Sequence, residues 1–458
     1  MITNKILIKP KTKPPLRRFL LKNGDYIVIK IEEVSYLFLS KTLQYFKITN
    51  PSIEEYLRLC ETGGLGDTFL TDGEIISIGN FLTTDDVTNN SEVSLPPDIG
   101  HNFLILNLTG GCNLACKYCF AEITKNHNTM TLDIAKKAIC NMINQEKEND
   151  EYSIYFFGGE PLLKKELVKQ ITEFAYEEVS KKESEKIKFL INTNATLIDD
   201  EVLQLFKNYD FTVTVSLDGP MEYHDRNRVY INGRGSFQRV VEGIDMLKNN
   251  NIQTNLRATF SPDTQDLVSN FKFFESLKLP YTYSFTINSE YKMNLKKTFF
   301  EEDQFEIVER ELRKVMNFFY DKMRLGETIY YTGLNRKISM LRYKKKRSYS
   351  CEAGRRSMTV DEHGNYYACQ NMIPYKQTKL GSVNNGISEE KKNLYHSKDL
   401  NLLNDCHNCV IRNVCAGGCA VERNNPNTKT KRQMCRLFNV EWKSLLYLYA
   451  LIIETKKN

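Results

Sequence analysis

The 458-residue chain has no apolar run long enough to cross a membrane. Its longest strongly apolar stretch, Leu445 to Ile453, falls far short of the roughly 18 residues a span needs and reads instead as a packed C-terminal helix. No basic segment followed by an apolar core opens the chain. Met1 to Lys22 is rich in Lys and Arg but is broken by Pro10, Pro14 and Pro15, which argues against export and for a cytoplasmic protein. Charge of one sign is scarce too: 63 Lys+Arg against 57 Asp+Glu leave +6, too little to argue for nucleic acid and only mildly favourable to an acidic partner. Internal repeats and low-complexity blocks are lacking. At 41% hydrophobic and 26% charged, the composition excludes disorder, collagen and a small stapled scaffold, and the length favours about three domains.

What the chain has is cysteine, and the placement matters more than the total of 12. Cys112 to Cys119 and Cys351 to Cys435 form two clusters, leaving Cys60 and Cys140 apart as small apolar packing residues. A cytoplasmic chain keeps its thiols reduced, so clustered cysteines point to metal or redox chemistry rather than to disulfides.

Residues 1–95 read as a small separate unit, with alternating segments at Tyr26 to Ile31 and Ser35 to Ser40, a helix-like Ile53 to Cys60 and a polar linker at Thr83 to Ser94. From Asn102, apolar runs suited to buried strands recur at Phe103 to Leu108, Ser153 to Phe157, Ile187 to Ile191, Thr212 to Leu217, Gln253 to Thr259 and Tyr281 to Thr286. Helical patterns separate them, at Leu132 to Asn144, Lys164 to Glu178, Asp200 to Lys207, Phe237 to Lys248 and Thr264 to Leu277. This predicts an α/β domain over 96–300 with a parallel sheet, open or curled into part of a barrel, whose chemistry sits at the C-terminal strand ends. A helical segment at 301–347 follows, ending in a solvated basic run, Arg342 to Arg347. Then come the second cysteine region at 348–440 and a terminal helix at 441–458.

The first predicted strand of this domain runs into Thr109-Gly110-Gly111-Cys112-Asn113-Leu114-Ala115-Cys116-Lys117-Tyr118-Cys119. Three thiolates in one loop suit a four-iron cluster that keeps one iron open to a non-protein ligand, whereas structural zinc wants four closed ligands. No fourth cysteine lies nearby, and His127 reads as a loop residue. The next strand ends in Gly158-Gly159-Glu160-Pro161, where glycines permit close backbone approach and a carboxylate suits an ammonium.

This triplet and Gly-Gly-Glu-Pro, with Asn192-Thr193-Asn194 and Ser216-Leu217-Asp218-Gly219-Pro220 after later strands, resemble the radical S-adenosylmethionine enzymes over most of residues 102 to 290. The resemblance implies a partial (β/α)6 TIM-like barrel. It implies a 4Fe-4S cluster on Cys112, Cys116 and Cys119, an S-adenosylmethionine pocket built from Gly158, Gly159, Glu160, Asn194, Ser216 and Arg228, with Tyr118 by the adenine, and reductive cleavage to a 5'-deoxyadenosyl radical. An external electron donor of the flavodoxin or ferredoxin type is implied with it.

The second region, Cys351, Gly364-x4-Cys369, Cys406-x2-Cys409-x5-Cys415-x3-Cys419 and Cys435, resembles the SPASM extension of peptide-modifying radical enzymes; a zinc ribbon is the alternative. By that resemblance Cys406, Cys409, Cys415 and Cys435 hold one auxiliary 4Fe-4S cluster. Cys351, Cys369 and Cys419 hold a second, with one corner open to a substrate thiolate or to another group. The three clusters together would need ten of the cysteines.

Within this group, enzymes that mature sulfatases usually place Asp directly after the Gly-x4-Cys cysteine and Gln before Gly-Gly-Glu-Pro. This chain has Gln370 and Phe157, and an amide has no useful basicity. The better match is a maturase of ribosomally made peptides, whose N-terminal unit would add a leader peptide to a sheet edge. The product would be a crosslink, a thioether above all, with carbon–carbon crosslinking, epimerisation or sulfatase maturation as alternatives. A non-catalytic iron-sulfur protein would have no need of Gly159, Glu160, Ser216 or Arg228. An RNA-modifying radical enzyme would call for a basic groove, which the balanced charge disfavours.

Overall fold

The structure of the protein is a computed structural model that describes residues 26–31, 34–40, 43–48, 102–119, 128–145, 151–182, 186–264, 266–286, 300–395, 400, 403–423 and 428–455. The expected helix at 53–60, the linker at 83–94, Cys60 and His127 lie outside these residues.

Ten strands form the main sheet, in the order β13-β12-β11-β10-β4-β5-β6-β7-β8-β9. Six of them are parallel and run in chain order: β4 (Phe103–Asn107), β5 (Glu151–Phe157), β6 (Lys186–Thr193), β7 (Thr212–Ser216), β8 (Gln253–Phe260) and β9 (Tyr281–Phe285). They match the predicted strands.

Strand alternation sorts their side chains onto two faces. On β5, Tyr152, Ile154 and Phe156 are buried while Ser153, Tyr155 and Phe157 are half-buried. The buried face packs against helices α1 (Leu132–Ile143), α2 (Lys165–Ser180), α3 (Asp200–Asn208), α4 (Met221–Asn227), α5 (Phe237–Asn249) and α6 (Leu267–Leu277). Local chemistry starts these helices where the sequence changes period. Thr131, Asp199 and Asp266 accept hydrogen bonds from Ile134 N, Val202 N and Ser269 N, satisfying donors that the first helical turn leaves open. Each fully buried Leu, Ile, Val or Phe on this seam, such as Leu106, Ile154, Phe189, Ile191 and Val213, stabilises the fold by about 1.5–3 kcal/mol.

The sheet does not stop at the first predicted strand. β10 (Ser357–Val360) pairs in parallel with β4, Thr359 opposite Ile105, and β11 (Asn365–Tyr367), β12 (Gly381–Ser382) and β13 (Gly386–Ile387) continue it as an antiparallel ladder. The second cysteine region is therefore joined to the core sheet by backbone hydrogen bonds. The segment expected to be helical over 301–347 holds two helices, α7 (Glu302–Arg324) and α8 (Thr332–Arg342), and residues 342–346 are exposed.

The last helix, α9, spans Thr428–Thr455 without a break, so the boundary expected at 440 falls inside it and Cys435 rides on it. Its polar opening, Thr428 to Gln433, hides its start from an apolar pattern. Near the N-terminus a third strand joins the two expected ones: β1 (Tyr26–Ile31), β2 (Val34–Leu39) and β3 (Gln44–Ile48) form an antiparallel sheet. It docks on α9, with the Tyr45 hydroxyl donating to Leu446 O at 3.0 Å and Lys47 paired with Glu454 at 2.7 Å. No helix among the described residues is long and apolar enough to cross a membrane.

Candidate active site

Cys112, Cys116 and Cys119 lie in the loop after β4, and the Gly158-Gly159-Glu160 turn after β5 is bonded to that loop. Gly159 N donates to Thr109 O at 2.8 Å and Glu160 N to Gly111 O at 2.9 Å. Only glycine allows this approach. Gly158 has φ +142°, and a Cβ on Gly159 would meet Gly111 O at 2.1 Å. Burial dominates the thiols of Cys112 and Cys116, pushing Cys112 up to about 12 and Cys116 up to about 11, with the Cys119 charge adding to both. Buried thiols held in the neutral form must release their protons to bind metal, which couples loading to pH.

Glu160 is fully enclosed. Its carboxylate accepts from Leu162 N at 3.0 Å, the Thr193 hydroxyl at 2.8 Å and Asn194 N at 2.7 Å, yet burial pushes it up to about 7. A carboxylate that burial holds back from ionising is stabilised by an incoming cation, so it fits the ammonium of an amino-acid ligand. Asn194 also donates to Asn113 at 2.9 Å, linking the Glu160 turn to the residue beside Cys112.

On the other side of the loop, Arg228 Nε donates to Asp218 at 3.0 Å and its guanidinium covers the Tyr118 ring at 5.4 Å. The Tyr118 hydroxyl donates to Asp218 as well, and so does Thr259 N at 2.9 Å. The Arg228 charge also bears on Cys116, where it favours the thiolate. Arg228 is thus buried and engaged by its pair with Asp218. Ser216 is buried at the end of β7, in register with Arg257 of β8.

In the sequence Asp218 is only one residue of a loop motif, yet three donors from separate elements converge on it. Behind it His224 is buried, with Nε2 3.0 Å from Ser236 Oγ, and burial pushes the imidazole down to about 4. The regular SLDGP loop signals the turn; nothing local in it signals these partners.

The seven later cysteines sort into two groups. Cys369 senses the charges of Cys419 and Cys351, whereas Cys415 senses Cys409, Cys435 and Cys406. Burial pushes Cys369 and Cys415 up to about 12 and Cys419 up to about 11. Among the described residues no three His, Cys, Asp or Glu side chains converge as ligands of a single ion. Gln370 lies against Cys369, its amide oxygen 3.4 Å from the sulfur. Cys140 is half-buried on α1 rather than fully enclosed as expected, because it lies beside the exposed flank of that helix.

Comparison with known proteins agrees with this geometry. The Radical SAM superfamily profile matches residues 106–266. An uncharacterised Methanocaldococcus jannaschii protein is 37% identical over 33% of this chain and 51% of its own length, so the match spans about half of that relative. The radical SAM cyclopropyl synthase TigE of Paramaledivibacter caminithermalis is 24% identical over 77% of this chain and 74% of its own. A cysteine-type anaerobic sulfatase-maturating enzyme of Clostridium novyi is 25% identical over 74% and 93%. The solved structure of anSMEcpe with bound AdoMet and the Kp18Cys peptide superposes with a TM-score of 0.65 at 20% identity, covering 78% of this chain and 99% of that one, which shows a shared fold. A match to that profile implies S-adenosylmethionine and a 4Fe-4S cluster. Residues 106–266 of the chain are thus a Radical SAM domain, similar over that stretch to the Radical SAM superfamily.

Proposed function

We propose that this enzyme matures a ribosomally made peptide by taking a hydrogen atom from one of its residues and installing an intramolecular crosslink, a thioether above all. One observation carries the reading. The pairing of β10 with β4 holds the second cysteine region on the same sheet as the first cysteine loop, so one substrate can face both. Relatives that include a cyclopropyl synthase and sulfatase-maturating enzymes support a substrate of this kind.

When bound, S-adenosylmethionine on a reduced 4Fe-4S cluster supplies a carbon-centred radical that takes a hydrogen atom, and auxiliary clusters supply an electron acceptor. The residues of the chain hold and orient. Cys112, Cys116 and Cys119 would ligate the first cluster. Glu160 and the Gly158–Gly159 turn would receive the ammonium, with Asn194 fixing the turn, and Ser216 would meet the ribose or carboxylate end. Tyr118 would border the adenine, kept in place by Arg228 and Asp218. Cys351, Cys369 and Cys419 would hold one auxiliary cluster, and Cys406, Cys409, Cys415 and Cys435 the other. The β1–β3 sheet would add a leader peptide at an edge, and a flavodoxin- or ferredoxin-type protein would deliver electrons.

Thioether formation removes a hydrogen atom from carbon and a proton and an electron from the thiol, so the peptide loses two hydrogens per bond. Anaerobic incubation with a peptide from a short neighbouring open reading frame, where one is found, followed by mass spectrometry, tests this. Loss of two hydrogens supports crosslinking; unchanged mass with inverted stereochemistry replaces it with epimerisation. Sulfatase maturation is the second reading, carried by the Clostridium novyi relative. Gln370 in the position of the usual Asp weighs against it, and conversion of a sulfatase-derived cysteine peptide to an aldehyde would establish it.

A further inference from the structure

One face of the sheet carries a cation that no described residue neutralises. On β8, Leu256, Ala258 and Phe260 are buried toward the helices, whereas Asn255, Arg257 and Thr259 alternate onto the opposite face. Arg257 is exposed and makes no ion pair or side-chain hydrogen bond with a described residue. It stands in register with Ser216 on one side and Thr282 on the other, level with the strand end where the cofactor motifs gather.

The charge of Arg257 bears on Tyr155 of β5, three strands away, and on Cys369 of the second cysteine region. The guanidinium is therefore within electrostatic reach of the second cysteine region. The described carboxylates near this end are engaged elsewhere: Asp218 with Arg228, Glu362 with Asn107 at 3.1 Å, Asp361 with Asn365 at 2.9 Å.

Two further polar groups of this face lack partners. Asn192 Oδ1, in register with Thr214, and Thr359 Oγ1, in register with Ile105, are buried without a hydrogen bond. Buried polar atoms left unpaired are costly, and an arginine fork is suited to bidentate capture of a carboxylate.

We propose that Arg257 docks an acidic side chain of the substrate peptide, so that this enzyme selects a peptide carrying Asp or Glu beside the modified residue. The inference rests on the peptide-maturase reading and names its substrate class.

The test uses the anaerobically reconstituted full chain and two nonapeptide pools, randomised except for a central cysteine flanked by Glu in one and by Gln in the other. Retention of each pool, 5'-deoxyadenosine release and S-adenosylmethionine binding are measured in parallel. The wild type is expected to retain the Glu pool at least about tenfold better, the ratio expected of a charge-assisted hydrogen-bonded pair. Arg257→Gln is expected to erase that preference, Arg257→Lys to keep part of it, and iron content to stay unchanged in both. Equal retention of the two pools by the wild type, or a preference that survives in Arg257→Gln, overturns the proposal and leaves peptide maturation standing. Loss of S-adenosylmethionine binding in Arg257→Gln assigns the arginine to the cofactor and also overturns it. If neither pool is retained, the proposal fails, while the peptide-maturase reading is judged separately by incubation with a leader-bearing peptide.

Discussion

Arg228 lies 3.0 Å from Asp218, the two side chains only 11% and 3% exposed, and the same carboxylate receives the Tyr118 hydroxyl from the cysteine loop. The pair ties the end of β7 to the loop that carries Cys112, Cys116 and Cys119. An exposed pair of this kind would be worth little. A buried one is costly to break, because the surviving charge has no compensation.

Asp218→Asn is therefore expected to destabilise the fold by about 3–5 kcal/mol, read as a lower denaturation midpoint in urea, because it strands the Arg228 guanidinium. Replacing both residues with apolar side chains is expected to cost less than the sum of the single changes. Additive costs in that double-mutant cycle would show that the two do not act as a pair.

Gly159→Ala tests the approach of the two loops. Its Cβ would meet Gly111 O at 2.1 Å, and backbone on both sides leaves little room to give. The expected cost is about 1–3 kcal/mol, together with loss of the visible iron-sulfur absorbance of the first cluster, since Gly111 directly precedes Cys112. Full cluster content and wild-type stability would show that the loops can separate freely.

The pH dependence of stability has opposing parts. Burial holds His224 at about 4, below its ordinary 6.5, so between these values the unfolded chain binds a proton that the folded chain refuses, and stability falls as pH falls. The shift corresponds to about 3 kcal/mol. Burial moves Glu160 the other way, from 4.5 to about 7, so its contribution is complete below pH 4.5 and is lost as pH rises toward 7. The stability advantage of wild type over His224→Gln should therefore shrink by about 3 kcal/mol between pH 7 and pH 4 in urea titrations. A constant difference would place the imidazole in contact with water.

Iron analysis separates the cysteine groups. Replacing Cys112, Cys116 and Cys119 with Ala should remove about four irons per chain and abolish every product, while Cys406→Ala with Cys409→Ala should remove about four and leave the first cluster's spectrum intact. Loss of all iron in either variant would mean that the groups are not independent.

The six parallel strands were legible because buried parallel strands read as apolar runs bounded by turns, and the cysteine groups because spacing alone separates them. β10–β13 were not. They are two to four residues long, too short for a period, and their place beside β4 depends on a chain return of some 250 residues. The extent of α9 was hidden by its polar first turns. In the site, Gly158, Gly159 and Glu160 stood out because their chemistry is local. Asp218 did not, since Tyr118, Arg228 and Thr259 reach it from three separate elements. Arg257 was hidden likewise: its reach to Cys369 joins segments more than a hundred residues apart.

The most direct test of the account follows one hydrogen. Peptide carrying deuterium on carbon is incubated anaerobically with the reduced enzyme and unlabelled S-adenosylmethionine, and the 5'-deoxyadenosine is analysed by mass spectrometry. The account expects deuterium in that product, together with a peptide that has lost two hydrogens in all, the deuterium among them. Cleavage that never draws deuterium from any peptide supplied would contradict it.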